Sequence, residues 1–239
     1  MDNASYTTLN RQSGLMSEMR AVANNIANLS TTGFRKEGVI FAEHVADLEG
    51  AEPSLSMATA EGRVINLAQG TLVQTGGAFD LAIEGEGFFQ IETPEGNRLT
   101  RAGSFTPSPE GELVTPDGYR LLDLGGAPVF VPADAGPVAV ASDGTVSVGG
   151  NPVAQVGLFL PSDPNDLVHT GGTRFAADGG VEPYEGGTMF QGFLENSNVN
   201  AVTEIARMIE VQRAYEMGQG FLDSEDARIR AVIQTLGRT

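Results

Sequence analysis

Apolar side chains recur with a helical period at both ends of the chain. Over residues 4–29, Leu9, Met16 and Ala23 fall seven apart, with Met19 and Ile26 at the complementary positions. That stripe predicts an amphipathic helix, interrupted at Gln12. Gly33 is the expected stop signal. Over residues 199–236, Met208, Tyr215, Leu222, Ile229 and Leu236 recur every seven residues without a miss. Their partner row reads as Ile205, Gln212, Gln219, Asp226 and Ile233, apolar at its ends and polar in its middle. A helix of that length spans roughly 57 Å. Gly218 and Gly220 lie inside it. Each costs about 1 kcal/mol relative to Ala, so a bend or weak point is expected there.

Between the helices, short β-prone runs alternate with Gly, Pro and Asp-Gly turn signals. "DLAIEGEGFFQIET" reads as strand, tight turn, strand. "NRLTRAGSFTPSPEGELVTPDGYRLL" reads as three or four short strands, and "ASDGTVSVGGNPVAQVGLFLP" as a hairpin ending in a buried strand. Residues 37–62 have mixed periodicity and fit either a linker or an extended arm. Neither terminal helix can bury its apolar stripe alone, and isolated helices are marginal in water. The expected fold class is therefore α+β. The N- and C-terminal helices pair as a coiled coil, with an antiparallel β-rich domain inserted between them. The corresponding divisions are 1–36 for the first helix, 37–77 for a linker or β arm, 78–194 for the β domain and 195–239 for the second helix. Such a pair leaves one side of each stripe unfilled and invites neighbours.

Charge separates the same parts. The total is −17. Residues 1–36 carry +2 and residues 198–239 carry −1, which leaves −18 for the middle. This acidity argues against nucleic-acid binding. There is no apolar run of membrane-spanning length and no Sec-type signal pattern. With no Cys and only His44 and His169, a structural zinc site is not expected, and thiol catalysis is excluded. No G-x-S-x-G or Walker A pattern is present, and "GEGFFQ" lacks the third glycine of a dinucleotide loop, so it reads as a hairpin turn. Glu84 with Glu86 and Glu110 with Glu112 are pairs that arise freely among 31 acidic residues. "DPND" and "SDGT" lack calcium-loop spacing. No catalytic residue, metal ligand or cofactor is expected.

Four segments in order resemble the rod/hook family of bacterial flagellar axial proteins: "ANNIANLSTTGFRKEGVIF", "GTLVQTGGAFDLAIEGEGFFQI", "TRAGSFTPSPEGELVTPDGYRLL" and "GFLENSNVNAVTEIARMIEVQRAYE". They run nearly end to end. The opening "MDNASYTTLNRQSGLMSEMR" and the length are most similar to the proximal rod branch. Two departures stand out. Gly77 occupies a place where many relatives have Asn, and "GQGFLDSEDARIR" has two glycines where relatives continue a stronger helix. The resemblance implies an inner layer of paired terminal helices and an outer β-rich domain. It implies a torque-transmitting structural subunit of the basal-body rod in the periplasm, not an enzyme. The implied partners are other rod proteins, proximal and distal, and the flagellar type III export apparatus, with no cleaved signal peptide. Two rival classes remain. One is a periplasmic glycan hydrolase, which needs two carboxylates roughly 5–9.5 Å apart across a cleft. The other is an adhesin or capsid-like coiled coil; a distal rod protein is the alternative within the family.

In such a stack, buried side-chain amides would fix register between helices. Asn24, Asn25 and Asn28 on one helix, and Asn196, Asn198 and Asn200 before the other, are candidates. Equally, Asn28 and Ser30 read as ordinary helix-end residues and Asn200 as an ordinary N-cap. The expected subunit-packing residues are Met16, Met19, Asn24, Asn25, Ile26, Asn28, Asn198, Asn200, Ile205, Met208, Gln212, Tyr215, Leu222 and Ile229.

Overall fold

The computed structural model describes residues 2–46, 55–132 and 136–237. The unassigned stretch 47–54, inside the expected linker or arm, lies outside the described residues. The chain forms two compact units. Residues 1–27, 37–64 and 200–239 make one, and residues 28–36 and 65–199 the other.

The first unit holds helix α1 (Asp2–Ala27) and helix α2 (Ala201–Leu236). It also holds a two-stranded sheet of β1 (Glu37–Ala46) and β2 (Leu55–Ile65). Residues 37–62 thus include paired strands. α1 ends at Ala27, six residues before the glycine expected to stop it. The chain there turns through Asn28 to Thr31, where the Thr31 N–H donates to the Asn28 carbonyl at 3.2 Å. α2 is capped by Asn200, whose Oδ1 accepts from the N–H groups of Val202 and Thr203 at 3.0 and 3.2 Å. These are donors that no helical carbonyl can reach.

α1 and α2 run antiparallel, but the seam between them differs from the expected one. On α1, among residues 7–27, the buried positions are Gln12, Gly14, Glu18, Ala21, Val22 and Asn25, of which Gly14 faces Phe41 of β1. Leu9 is 51% exposed and Ala23 is exposed, while Met16, Met19 and Ile26 are half-buried flanks. On α2, Met208, Tyr215 and Leu222 are half-buried. Their partner row is Glu204, Val211, Gly218 and Glu225, one position earlier than read from the sequence. Ile205, Gln212 and Gln219 are exposed. The phase shift has a steric and polar cause. Gln12 lies across Gly218, where an added Cβ would stand 3.3 Å from its Nε2, and that nitrogen donates to Gln219 Oε1 at 3.3 Å. Gly218 leaves room for the Gln12 side chain, a use for a residue that looked like a weak point.

The second unit is antiparallel β structure. Its largest sheet has seven strands. Their order is Leu167–Gly171, Arg174–Ala177, Gly96–Thr100, Phe89–Thr93, Arg120–Leu121, Leu113–Val114 and Thr106–Pro107. Residues 96–121 form four short strands, within the three or four expected there. The pair Thr145–Val148 and Asn151–Gln155 is a hairpin turned by Gly149 and Gly150, both at positive φ. "GEGFFQ" is not a hairpin turn. Leu81–Glu84 pairs with Thr188–Gln191, while Phe89–Thr93 belongs to the seven-stranded sheet. The reason lies in Phe88 and Phe89, which face opposite ways as neighbours on a strand must. Phe89 enters a core with Leu81, Ile91, Leu121 and Val156, and Phe88 a second one with Leu99, Phe159 and Phe175. Burying both requires a crossover between sheets, and Gly85 and Gly87, at φ 94° and 104°, supply it. Gly103 lets two backbones touch, since a Cβ there would fall 1.6 Å from the Leu81 carbonyl oxygen.

Phe89 is fully buried and meets Phe105 edge-on at 5.4 Å. Phe89→Ala should cost about 3–5 kcal/mol, as large-to-small changes in a packed core do. Urea unfolding followed by tyrosine fluorescence should show the midpoint fall with the slope unchanged.

Candidate functional site

The chain's unusual chemistry lies in buried polar junctions, one in each unit. In the first unit, the last turn of α1 carries Asn25 inward with no exposed surface. Its Nδ2 donates to the Glu37 carbonyl at 2.8 Å and to Glu204 Oε2 at 3.0 Å, and its Oδ1 accepts from the Glu37 N–H at 2.9 Å. One carboxamide thereby satisfies both backbone groups at the start of β1, as a neighbouring strand would, and also ties α1 to α2. Only an amide can donate and accept in this pattern. Glu18 accepts from Arg207 Nε further along the same seam. This hydrogen bond raises the Arg207 pKa above its ordinary value.

In the second unit, Glu195 sits between two arginines. Arg35 Nη1 lies 2.7 Å from Oε1, and Arg101 Nη1 lies 3.1 Å from Oε2; all three side chains are at most 3% exposed. Glu195 Oε1 also accepts from the Gly70 N–H at 2.7 Å. Arg35 donates to the Ala68 carbonyl and Arg101 to those of Ile83 and Gly85. Two cations face one anion, so the cluster holds a net positive charge away from water. Burial pushes both arginines down, Arg101 to about 10, against the opposing pull of Glu195. Among the described residues, Arg35 Nε and Nη2 and Arg101 Nε have no hydrogen-bond partner. Gly33, at φ 72°, brings its N–H to the Glu195 carbonyl at 2.7 Å. A Cβ there would meet the Ala102 nitrogen at 2.2 Å. The glycine read as a helix stop is a close-approach residue.

The sequence-predicted packing residues scatter among these features. Asn25 and Asn200 have the roles described above. Asn198 is a second amide connector in the second unit. Its Oδ1 accepts from the Lys36 N–H at 2.7 Å, and its Nδ2 donates to the carbonyls of Asn66 and Ala68 at 2.9 and 2.8 Å. Asn28 accepts from the Thr31 hydroxyl at 3.0 Å, the local helix-end use, and Asn24 is exposed. Asn196 uses its backbone N–H, which donates to the Thr71 carbonyl. Met16 and Tyr215 share one groove of the helix pair. Met19, Ile26, Met208 and Leu222 are half-buried, while Ile205, Gln212 and Ile229 are exposed.

Sequence reading missed Arg35, Arg101 and Glu195. Each stands inside one of the segments that carry the resemblance, in "GFRK", "TRAG" and "FLEN", but those segments hold other charged residues too, so no local signal singles it out. Nothing local says that they meet. Among the described residues there is no group of three or more metal-binding side chains and no helix long and apolar enough to cross a membrane.

The helix pair buries several polar side chains beside Ala21, Val22 and Val211, and exposes many apolar ones. Gln12, Glu18, Asn25 and Glu204 are buried, while Ile205, Ile209, Met217, Phe221, Ile229, Val232, Ile233 and Leu236 are exposed. A monomer in water has no use for that arrangement.

Glu195→Gln should cost about 3–5 kcal/mol, because it leaves two buried guanidinium ions without a counter-charge. Asn25→Ala should cost about 1–3 kcal/mol by stranding the backbone groups of Glu37. Denaturation midpoints of the two variants test both.

Comparison with known proteins yields three family models in the order of the chain. Flagella basal body rod protein matches residues 6–35, the flagellar hook protein FlgE/F/G D1 domain matches 82–148, and the flagellar basal body rod FlgEFG protein C-terminal region matches 191–235. The chain is similar to flagellar basal-body rod protein FlgF of Caulobacter vibrioides, 40% identical over 244 residues that cover 100% of this chain and 99% of that protein. It is 35% identical to FlgF of Rhizobium meliloti, over 99% of each. It is 30% identical to flagellar basal-body rod protein FlgG of Bacillus subtilis, over 95% of this chain and 97% of that one.

Proposed function

The chain belongs to the flagellar basal-body rod protein family, most like its FlgF members, and from that premise we propose how it does its work. It is a structural subunit of the basal-body rod. The relatives named above are rod proteins, which gives the cell-wall hydrolase alternative no support.

The observation that carries the mechanism is the outward apolar face of the helix pair. The two helices form a short coiled coil whose inner seam is kept in register by hydrogen bonds, Asn25 with Glu204 and Gln12 with Gln219. Directional bonds specify register where apolar contacts would slide. The apolar residues on the outside then serve contacts between subunits, with Ile205, Ile229 and the flanking Met16, Met19, Ile26, Met208, Tyr215 and Leu222 among them. Gln212, exposed on the same surface, adds a polar contact. Asn24 and Asn28 stand at the end of α1 and Asn198 and Asn200 before α2, at the edges of that surface. Residues 1–36 and 195–239 form the inner helical layer and residues 78–194 an outer β domain, with residues 37–77 as the connecting arm. The partners are proximal rod subunits and the distal rod protein, and the stack transmits torque without catalysis. The subunit reaches a periplasmic position through the flagellar type III apparatus, without a cleaved signal peptide.

The test separates folding from assembly. Ile205 is 50% exposed on α2, away from the inner seam. Ile205→Asp should change stability by no more than about 0.5 kcal/mol, as surface substitutions do. Expressed in a strain lacking the wild-type gene, it should leave cells non-motile, with the chain missing from purified basal bodies. A fully motile strain would remove the outer face from the assembly role.

A further inference from the structure

We propose that the pocket beside Arg101 in the second unit is a binding site for a small monocarboxylate with an apolar tail. The inference goes beyond the rod-subunit reading and does not depend on it.

The site starts from an unbalanced charge. Arg35 and Arg101 face the single carboxylate of Glu195, and all three side chains are buried. Arg101 commits Nη1 to Glu195 and the Ile83 carbonyl, and Nη2 to the Gly85 carbonyl. Its Nε has no partner among the described residues. An arginine has five N–H donors, so the side chain is not saturated. A cation that water does not screen attracts an anion more strongly than one in solvent.

A pocket of about 160 Å³ has Arg101 in its wall. The guanidinium end lies beside other wall residues. Its Cζ is 5.3 Å from the centre of the Phe88 ring, and Nη2 holds the carbonyl of Gly85, next to Glu86; Phe88 and Glu86 both line the pocket. Leu67, Leu160, Pro161 and Pro164 make the remaining wall mostly apolar. The volume is close to the roughly 150 Å³ of a cavity that admits benzene. The pocket therefore has room for a group of that size with a charge at one end. An apolar pocket with one charged group selects an amphipathic ligand. A bare ion such as chloride would leave the apolar wall uncovered. Glu86 limits the ligand's charge. It is exposed, so water screens it and it does not cancel the buried excess. It still acts on Arg101, and it repels a second negative charge on a ligand, which favours a monoanion over a dianion.

The test titrates the purified, isotope-labelled full-length chain with butyrate, chloride or sulfate at neutral pH and matched ionic strength. The backbone amides of Gly87 and Phe88 and the Arg101 Nε–H report on the pocket by NMR. Butyrate should shift them and saturate in the millimolar range. Chloride and sulfate should bind at least about tenfold more weakly, because neither buries apolar surface. Glu86→Gln and Leu67→Glu change exposed positions in the pocket wall, so amides remote from it should not move. Removing the Glu86 charge should tighten butyrate about threefold, and adding one at Leu67 should weaken it about tenfold. Equal shifts with chloride and butyrate would mean that salt only screens the arginine cluster, and would overturn the site. Butyrate shifts that do not saturate, or an affinity that either variant leaves unchanged, would overturn it too.

Discussion

Glu195 holds two guanidinium ions where water does not reach, and the segments around it converge on that carboxylate. Arg35 comes from the segment following α1, Gly70 from the strand-poor stretch after β2, and Arg101 from the position just after Gly96–Thr100, an inner strand of the seven-stranded sheet. Desolvating three charges is expensive, and the set remains one positive charge in excess. What the ions supply is direction. Each guanidinium also grips backbone carbonyls, Ala68 for Arg35 and Ile83 and Gly85 for Arg101. The start and end of the β unit are thereby joined at one point. His169 extends the cluster by stacking on Phe34 at 5.4 Å, with its Nε2 3.2 Å from the Arg35 carbonyl.

The same economy governs the helices. Apolar seams are strong but tolerate sliding, whereas amides and carboxylates bind only in one register. α1 and α2 bury polar groups beside Ala21, Val22 and Val211, and leave many apolar side chains exposed. Such a pair is weak by itself and suited to being one layer among many.

Much of the architecture was legible in the chain. Period-seven rows marked both helices, Asp-Gly and Gly-Gly turns marked the β unit, and Asn200 before an apolar run marked an N-cap that the backbone uses as such. The phase of the helical seam was not legible. Hydropathy assigned Ile205 and Gln212 to the row facing α1, but Glu204, Val211 and Gly218 occupy it. Hydropathy marks a face as buried without saying against which molecule, and here the apolar face and the intrachain face differ.

By itself the sequence determined the two helices and the strand-rich middle, though not the paired strands β1 and β2, because those features depend on local period, capping and turn chemistry. It also placed the chain in its family through short segments spread along its length. The tertiary structure alone decided that Phe88 and Phe89 serve different cores, that Gly33 and Gly103 are points of close approach, and that Arg35, Arg101 and Glu195 form one cluster. Each of these depends on which distant backbone arrives alongside. A charge or a glycine reads the same in sequence whatever it will meet, and only the folded chain brings its partner within 3 Å or excludes the water that would otherwise take that place.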